Sequence, residues 1–471
     1  ELLLRAHELW LKNPDLLAHY QGRFQHLLVD EFQDTNTIQY AWLRVLAGSS
    51  IPIVAVGDDD QSIYGWRGAK IENIQRFSRD FDPVRTVRLE QNYRSTSTIL
   101  KAANAVISHN MNRLGKELWT AGDAGEAITL YAGFNEQDEA RFIVERIEDW
   151  IGEGQARADS AILYRSNAQS RVLEEALIRA SVPYRIYGGQ RFYERLEIKN
   201  ALAYMRLIVS RADDAALERV LNTPPRGIGG KTVDALRDLA RERGISLWQA
   251  IASLVEEKLL PGRALNALEA FCLLVNEMDS DTSELGLAEL TEHVIEASEL
   301  VEFHGKEKGE RGQARVENLQ ELVTAARQFE PENDDLSPLQ EFLDNAALDA
   351  GEAQAEEHED SVQLMTLHSA KGLEFPLVFL AGMEENLFPH RMSLEEPGRL
   401  EEERRLCYVG ITRAMQRLMI TYAETRRMYG NENFNSPSRF IREIPTELLE
   451  EVRLHTTITR PASVGFAAEV A

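Results

Sequence analysis

The sequence predicts an α/β protein with two parallel-sheet units, the second of which is split by a large helical insertion. Two observations predict this class. Short apolar runs alternate with helical patterns near both ends of the chain, which is typical of units built from alternating strands and helices. Between about residues 190 and 360, strand patterns vanish and long helical patterns replace them.

The first unit opens with a helix and continues with two short strands. Residues 2–10 carry apolar side chains at helical spacing, which predicts an amphipathic helix already in progress. Apolar runs at 27–29 and 53–56 each end in acidic residues, and a helical stretch through Ala47 lies between them. Such runs predict buried parallel strands whose carboxyl ends carry the chemistry.

The second unit repeats this pattern on both sides of the insertion. Its strands are predicted at 161–165, 362–366, 377–381 and 418–421. The insertion ends in an acidic tract, residues 329–360, with twelve Asp and Glu residues and no Lys or Arg. This composition predicts a solvated, partly disordered linker.

Composition excludes several classes of function. The 471 residues carry a formal net charge of −25, so binding to nucleic acid through net charge is excluded and any such site must be a local groove. Cys272 and Cys407 are the two cysteines, which excludes a disulfide framework or a four-cysteine zinc site and fits a reducing compartment. No apolar run approaches the roughly 20 residues of a membrane helix, so no membrane partner is expected.

The string VDEFQDT at 29–35 ends the first strand with adjacent carboxylates. Asp30 and Glu31 suit magnesium–nucleotide chemistry, in which one carboxylate orients Mg²⁺ and the other polarises a water. An ordinary surface pair of acids is the alternative. The position after a predicted buried strand favours the functional interpretation.

The string GDDDQSIYGWRGA at 57–69 follows the second strand. Gln61 can hydrogen-bond a terminal phosphate and a water without adding charge. Tyr64 and Trp66 offer aromatic faces on which the bases of a single strand could stack. The alternative is that both rings simply pack in a core.

Three further strings complete the set: LEQNYRS at 89–95, TLHSAKGLEF at 366–375 and YVGITRA at 408–414. The alternative for the first string is a helix N-terminus, and the alternative for residues 401–414, which end in the last string, is a charged helix. Gly230-Lys-Thr232 ends like a phosphate-binding loop, but Pro225 stands where that motif needs glycine. The pattern G-x-x-x-x-G-K-[ST] occurs nowhere in the sequence.

In their order and spacing, the five strings resemble the UvrD/Rep/PcrA group of superfamily 1 DNA helicases. The likeness extends from about residue 1 to 455. It implies two RecA-like parallel-sheet motor cores, the first incomplete, with a large helical insertion in the second. It also implies an ATP-driven motor that moves 3′ to 5′ on single-stranded DNA and unwinds duplex in repair or replication.

The resemblance implies ATP and Mg²⁺ as cofactors and assigns residues to them. Asp30 and Glu31 would form the metal site, with Asp30 holding Mg²⁺ and Glu31 acting as general base. Gln61 would sense the γ-phosphate, and Arg94 and Arg413 would be arginine fingers from the second core. The remaining nucleotide contacts would be Tyr93 on adenine, Glu374 on ribose, and Arg67 and Lys371.

The resemblance also assigns residues to DNA. Those expected to contact the single strand are Tyr64, Trp66, Arg165, Asn167, His368 and Tyr429. Gly227 and Gly229 would lie in a turn that contacts duplex. The expected partners are single-stranded DNA and its junction with duplex, with repair proteins or a second copy as further candidates, in the bacterial cytoplasm with the nucleoid.

By the same resemblance, the family's phosphate loop lies upstream of the acid pair, so this chain is expected to be inactive alone. The expected segments are 1–24 (end of a helical insertion of the first core), 25–90 (first core), 91–188 and 361–456 (second core), 189–360 (helical insertion) and 457–471 (flexible tail). One alternative is a non-catalytic DNA-binding accessory protein. Another is a helicase–nuclease subunit, which is weakened because no nuclease-like carboxylate cluster follows the last motif.

Overall fold

A computed structural model describes residues 1–452 except 112, 308, 334, 352–354, 356–357, 397 and 429–430. The predicted DNA contact of Tyr429 and the predicted tail at 457–471 lie outside the described residues. Among the described helices, none combines the length and apolar character that crossing a membrane would require.

The first α/β unit contains a pair of short parallel strands. Its elements are α1 (Leu2–Lys12), α2 (Pro14–Gln21), β1 (Leu27–Val29), α3 (Thr37–Ala47), β2 (Ile53–Ala55) and α4 (Glu72–Asp80). The prediction that β1 and β2 are buried is wrong, because Leu28 is 80% exposed and Val54 is 53% exposed. Alternate side chains of a strand face opposite sides, and only one side of this pair is partly covered by other described residues.

The second unit begins with alternating helices and strands and is then interrupted. Its first elements are α5 (Ser97–Ile107), β3 (Ile128–Gly133), α6 (Glu136–Gly152), β4 (Ser160–Tyr164), α7 (Ser170–Arg179) and β5 (Tyr184–Ile186). The helices that follow are α8 (Leu196–Val209), α9 (Asp214–Val220), α10 (Gly230–Arg243), α11 (Leu247–Glu256), α12 (Gly262–Thr282), α13 (Leu287–Ala297), α14 (Leu300–Gly305), α15 (Glu310–Gln328) and α16 (Pro338–Gly351). These nine helices share one apolar core of their own.

The chain then returns to the sheet of the second unit. The final elements are β6 (Val362–Thr366), β7 (Phe375–Leu380), α17 (Arg391–Glu395), α18 (Arg399–Ile411), β8 (Ala414–Ala423), β9 (Thr425–Met428), β10 (Asn431–Phe434), α19 (Arg439–Arg442) and β11 (Leu449–Glu451). The seven-stranded sheet has the order β11-β3-β8-β7-β4-β6-β5, and every pair in it is parallel. The predicted α/β class is confirmed.

The acidic tract differs from the predicted solvated linker. Residues 338–351 form α16, whose side chains Leu339, Phe342 and Leu343 are buried in the core of the insertion. These apolar residues recur at intervals of three and one, as on one face of a helix. The acidic composition hid this face: Asp344 of α16 is exposed, whereas the Glu341 carboxylate is buried and accepts the backbone N–H groups of Glu332 and Asn333.

The two units meet along residues 58–65, which we call the linking segment. Its side chain Ile63 is fully buried and belongs to the apolar core of the second unit, together with Ile99 of α5 and Leu406 of α18. The Arg405 guanidinium of α18 donates to the Ser62 carbonyl oxygen at 2.7 Å. The linking segment therefore packs as part of both units.

We expect Ile63→Ala to lower the free energy of unfolding by about 2–5 kcal/mol, because it removes a fully buried side chain from a closely packed core. Urea-induced unfolding followed by circular dichroism measures this change. Val54→Ala is the matched control, since that half-exposed side chain should change stability by less than about 0.5 kcal/mol. Equal effects of the two substitutions would contradict the packing role of Ile63.

Candidate functional site

The carboxyl ends of β1 and β2 bring two acidic loops to one edge. The strands pair in parallel with Val29 opposite Ala55, so the residues that follow each strand are neighbours. Glu31 adopts a left-handed backbone conformation with φ of 50°, which is uncommon for a residue with a side chain. This turn starts the short 3₁₀ helix Phe32–Asp34 directly after the acid pair.

Gln33 connects the two loops. Its amide nitrogen donates to Glu31 Oε2 at 2.5 Å, and its Oε1 accepts the backbone N–H of Asp58 at 3.0 Å. Gln33 is buried, whereas the Glu31 side chain that it holds is 56% exposed. A Cβ at Gly57 would lie 2.6 Å from Gln33 Oε1, so a larger residue would displace the Gln33 amide from this position. The Glu31 side chain is thus oriented by a neutral, buried amide.

Gln61 lies on the second loop and points back to its start. Its Nε2 donates to Asp58 Oδ2 at 2.5 Å. The neighbouring acids Asp58, Asp59 and Asp60 have ligand atoms within 4.8 Å of one another. Each carboxylate already has a partner in residues 113–116 of the second unit, so this cluster is satisfied without a metal.

Lys371 crosses from the second unit to the acid pair. Its Nζ lies 2.9 Å from Glu31 Oε2, 2.5 Å from Asp34 Oδ2 and 3.0 Å from the Gln61 carbonyl oxygen. Burial raises the pKa of Asp34, and the Lys371 ammonium opposes that rise. The structure therefore places Lys371 against the predicted metal and base residues.

Asp30 and Glu31 fit a hard divalent cation by their chemistry. Both are exposed carboxylates at a strand end, and oxygen is the ligand that Mg²⁺ prefers. The backbone N–H of Glu31 donates to Asp30 Oδ1 at 2.9 Å, which holds the two side chains in one loop. A cation at Glu31 would compete with the Lys371 ammonium for the same carboxylate.

The two predicted arginine fingers lie together in the second unit. Arg413 is 2% exposed, and its guanidinium donates to the carbonyl oxygens of Val409 and Leu373 at 3.0 Å and to Thr412 Oγ1 at 3.1 Å. Burial, and next the charge of Arg94, hold the pKa of Arg413 below its ordinary value, at about 10. Among described residues, no carboxylate forms an ion pair with Arg413, so its buried charge is suited to an anion.

Arg94 pairs with Glu374, so these two predicted nucleotide contacts meet each other. Arg94 also donates to the Thr412 carbonyl oxygen at 3.4 Å, one residue before Arg413. Tyr93 is 85% exposed, and its hydroxyl donates to the Gln91 side chain. The Tyr93 ring is free to stack on a planar group, which remains a prediction.

An aromatic cluster of Tyr64, Trp66 and His368 spans the junction of the two units. The three ring centroids are each 6.4 Å apart, and the Tyr64 hydroxyl donates to the His368 carbonyl oxygen at 3.3 Å. Arg67, predicted at the nucleotide, has its guanidinium carbon 4.5 Å from the Trp66 ring centroid and 4.9 Å from that of Tyr64. The structure thus places Arg67 with the aromatic cluster.

A hydrogen bond from α18 fixes the backbone beside this cluster. The Gly65 N–H donates to Glu402 Oε1 at 2.8 Å. A Cβ at Gly65 would lie 2.6 Å from Glu402 Oε2, so a larger residue would require the Glu402 carboxylate to move.

The other predicted strand contacts follow β4. Arg165 forms a two-pronged ion pair with Glu403 of α18, with nitrogen–oxygen distances of 2.8 and 3.1 Å. Burial opposes ionisation of Glu403, but Arg165 holds the pKa of this carboxyl below its ordinary value. The carbonyl oxygen of Asn167 accepts a hydrogen bond from Arg195 at 2.9 Å, and Arg195 also donates to Asn318 of α15. These bonds join the loop after β4 to the helical insertion.

The predicted duplex-contacting turn lies apart, within the insertion. Gly227 has φ of 79°, a left-handed conformation that favours glycine, and Gly229 caps the start of α10. No atom lies within 4 Å of a Cβ built at either glycine, so the backbone there is open. Within the described chain, no hydrogen bond or ion pair joins this turn to the aromatic cluster.

Comparison with known proteins identifies the family. Residues 87–425 match the UvrD-like helicase C-terminal domain, and residues 1–82 match the UvrD/REP helicase N-terminal domain. The chain belongs to the UvrD-like helicase family. The resemblance inferred from the five strings is therefore confirmed.

Individual UvrD-like relatives match over nearly all of this chain. DNA helicase II of Escherichia coli K12 is 63% identical over 465 residues, which is 98% of this chain and 65% of that protein. DNA helicase II of Haemophilus influenzae is 58% identical over 99% of this chain and 64% of its own length. ATP-dependent DNA helicase PcrA of Bacillus subtilis is 44% identical over 96% and 62%, respectively. The chain thus spans just under two thirds of these relatives.

Several residues of this UvrD-like site were missed by sequence reasoning. Gln33 and Asp34 lie inside the string at 29–35, and their spacing from Glu31 was the available signal. Glu402 and Arg405 lie in the charged stretch before 408–414 and were open to interpretation as surface charges. Lys116 lies outside all five strings, so no sequence signal marked it.

We expect His368 to be neutral in the folded protein, since burial first, and then the charge of Arg165, lower its pKa from 6.5 to about 3. The unfolded chain therefore binds a proton that the folded chain does not, and stability is lost as pH falls below about 6.5. Melting temperatures measured from pH 7.5 to 5 should fall less in His368→Gln than in the unsubstituted chain. Identical pH slopes would contradict a neutral, desolvated His368.

Proposed function

We propose that this chain carries the motor of an ATP-dependent DNA helicase that moves 3′ to 5′ on single-stranded DNA and unwinds duplex in repair or replication. One observation carries the proposal: the linking segment joins a loop with the chemistry of nucleotide hydrolysis to an aromatic cluster suited to bases. The names of the relatives, DNA helicase II and ATP-dependent DNA helicase PcrA, support it. The same proposal gives single-stranded DNA and its junction with duplex as the binding partners, and the bacterial nucleoid as the place of action.

Nucleotide hydrolysis is assigned to residues of both units. Bound Mg²⁺ would supply charge neutralisation at the phosphates, and Asp30 and Glu31 are the residues that would hold it. Glu31 accepts the proton of the attacking water, and the Gln33 amide keeps its carboxylate oriented. The Gln61 amide donates to the terminal phosphate. The side chains named for these steps all lie in the two loops after β1 and β2.

The arginines of the second unit supply positive charge to the same reaction. Arg413 is held by neutral oxygen atoms, so its charge is available to a phosphate that reaches it. Arg94 must leave Glu374 to act on phosphate, which frees Glu374 for a ribose hydroxyl. Lys371 must likewise yield Glu31 when a metal binds. Binding thus replaces ion pairs within the protein by ion pairs to the ligand.

DNA binding is assigned to stacking and a few polar contacts. Tyr64, Trp66 and a neutral His368 offer ring faces, which every base can stack on. Arg165 and Asn167 follow on the adjacent loop and would contact the strand. The open backbone at Gly227 and Gly229 would contact duplex phosphates. This arrangement explains how a chain with net charge −25 can hold DNA.

Because the chain carries no G-x-x-x-x-G-K-[ST] loop, the test is ATP hydrolysis by the chain joined to an N-terminal segment that supplies the family's phosphate loop, with and without oligo(dT), using Glu31→Gln to correct for contaminating activity. We expect DNA-stimulated turnover that Arg413→Ala lowers by about 10²–10³-fold, because a buried transition-state charge is lost. Arg413→Lys keeps the positive charge, so turnover retained in that variant would show that the loss in Arg413→Ala reflects the missing charge. Arg417→Ala is the matched control, since Arg417 pairs with Glu126 and Glu153 instead.

The same proteins are titrated with fluorescent oligo(dT). Trp66→Ala should weaken binding by about 1–3 kcal/mol, whereas substitution of the half-exposed Trp119 should not. Strand binding without any turnover would favour the alternative, a non-catalytic DNA-binding accessory protein. Loss of strand binding in Arg413→Ala would overturn the role given to that arginine.

A further inference from the structure

Residues 113–116 of the second unit cover the acidic start of the linking segment. Arg113 forms a two-pronged ion pair with Asp60, with distances of 2.6 and 2.7 Å. The Leu114 N–H donates to Asp59 Oδ2 at 2.7 Å. The Lys116 ammonium forms an ion pair with Asp58. Each of the three acids therefore has a close partner in this short segment, and the Lys116 ammonium also lies 4.0 Å from Asp60 Oδ2.

Asp58 is the acid that also touches the proposed phosphate sensor. Its Oδ2 accepts the Gln61 amide at 2.5 Å and is the same atom that meets Lys116. Its Oδ1 accepts the backbone N–H of Asp60 at 3.0 Å. With both oxygens engaged, the Asp58 carboxylate has one orientation, and that orientation fixes where the Gln61 amide points.

Charge explains why Lys116 is needed for that orientation. Asp58, Asp59 and Asp60 place ligand atoms within 4.8 Å of one another, so without a cation Asp58 would be repelled by its neighbours. The side chains of Lys116 and Asp58 are only 18% and 20% exposed, which limits screening by water. Beneath Lys116, the Tyr408 ring centroid lies 5.7 Å from its ammonium.

We propose that Lys116 is a positioning residue for nucleotide hydrolysis, acting through Asp58 on the Gln61 side chain. The proposal rests on the proposed function. It implies that the second unit influences Gln61 through Lys116, in addition to the contacts that Arg94 and Arg413 make with phosphate. When the second unit shifts relative to the first, Lys116 moves with it, and the Gln61 amide is released from or returned to Asp58.

A purely structural ion pair is the competing explanation, and the chain offers a matched control for it. Arg113 lies three residues earlier and pairs with Asp60, which does not hold the Gln61 side chain. Removal of either cation weakens the contact between the units. Only removal of Lys116 is expected to change the hydrogen bond of the Gln61 side-chain amide to Asp58.

The first experiment needs no catalysis. Side-chain amide signals are recorded by NMR on chain labelled with ¹⁵N-glutamine, and the Gln61 signal is the one lost in Gln61→Leu. We expect Lys116→Met to move this signal further than Arg113→Met does, and Lys116→Arg to restore it. An unmoved Gln61 signal in Lys116→Met overturns the proposal, whether or not the chain hydrolyses ATP.

The second experiment measures turnover in a double-mutant cycle, in the chain joined to an N-terminal segment that supplies the family's phosphate loop. Lys116→Met should lower DNA-stimulated kcat about tenfold with the KM for ATP little changed, because Gln61 is misplaced. In a Gln61→Ala background, Lys116→Met should cost less than about twofold more, whereas Arg113→Met keeps its full effect. Additive losses for Lys116 and Gln61 overturn the proposal. Absence of turnover in every variant contradicts the proposed function instead, and the NMR result then decides the positioning role.

Discussion

Every residue from Asp58 to Gly65 contacts the second α/β unit, and the arrangement of the site depends on this unbroken contact. In chain order the partners are Lys116 for Asp58, Leu114 for Asp59, Arg113 for Asp60, Lys371 for Gln61, Arg405 for Ser62, the apolar core for Ile63, His368 for Tyr64 and Glu402 for Gly65. The segment begins at the acidic loops and ends at the aromatic cluster. One short stretch of chain thus connects both halves of the site.

The contacts of the linking segment both stabilise the interface between the two units and determine how the units are positioned. Ile63 contributes apolar burial, which is the stabilising part of the interface. The ion pairs of Asp58 and Asp60 contribute little net stability, because desolvation offsets attraction, but breaking either pair leaves a buried charge. These ion pairs therefore favour one position of the second unit relative to the first. A ligand that offers replacement charges, as a nucleotide with a metal does, can change this relative position with only a small change in free energy.

The sequence was sufficient for the class of fold and for much of the site. Apolar runs located β4, β6, β7 and β8, and helical patterns located the insertion, because these signals are local. The sequence did not predict that Leu28 and Val54 are exposed or that α16 has a buried face, since burial depends on which other residues cover a segment. The partner of Gly65, Glu402, lies 337 residues away and has no local signature. Long-range polar contacts of this kind determine how the predicted residues are oriented.

The central claim is that the linking segment couples nucleotide and DNA binding. The most direct test uses the chain joined to an N-terminal segment that supplies the family's phosphate loop, and measures its affinity for fluorescent oligo(dT) by anisotropy, with and without a non-hydrolysable ATP analogue and Mg²⁺. The account predicts that the analogue changes the affinity by about fivefold or more, and that Gln61→Ala abolishes the change without altering affinity in its absence. An affinity that ignores the analogue, or a change that persists in Gln61→Ala, would contradict it.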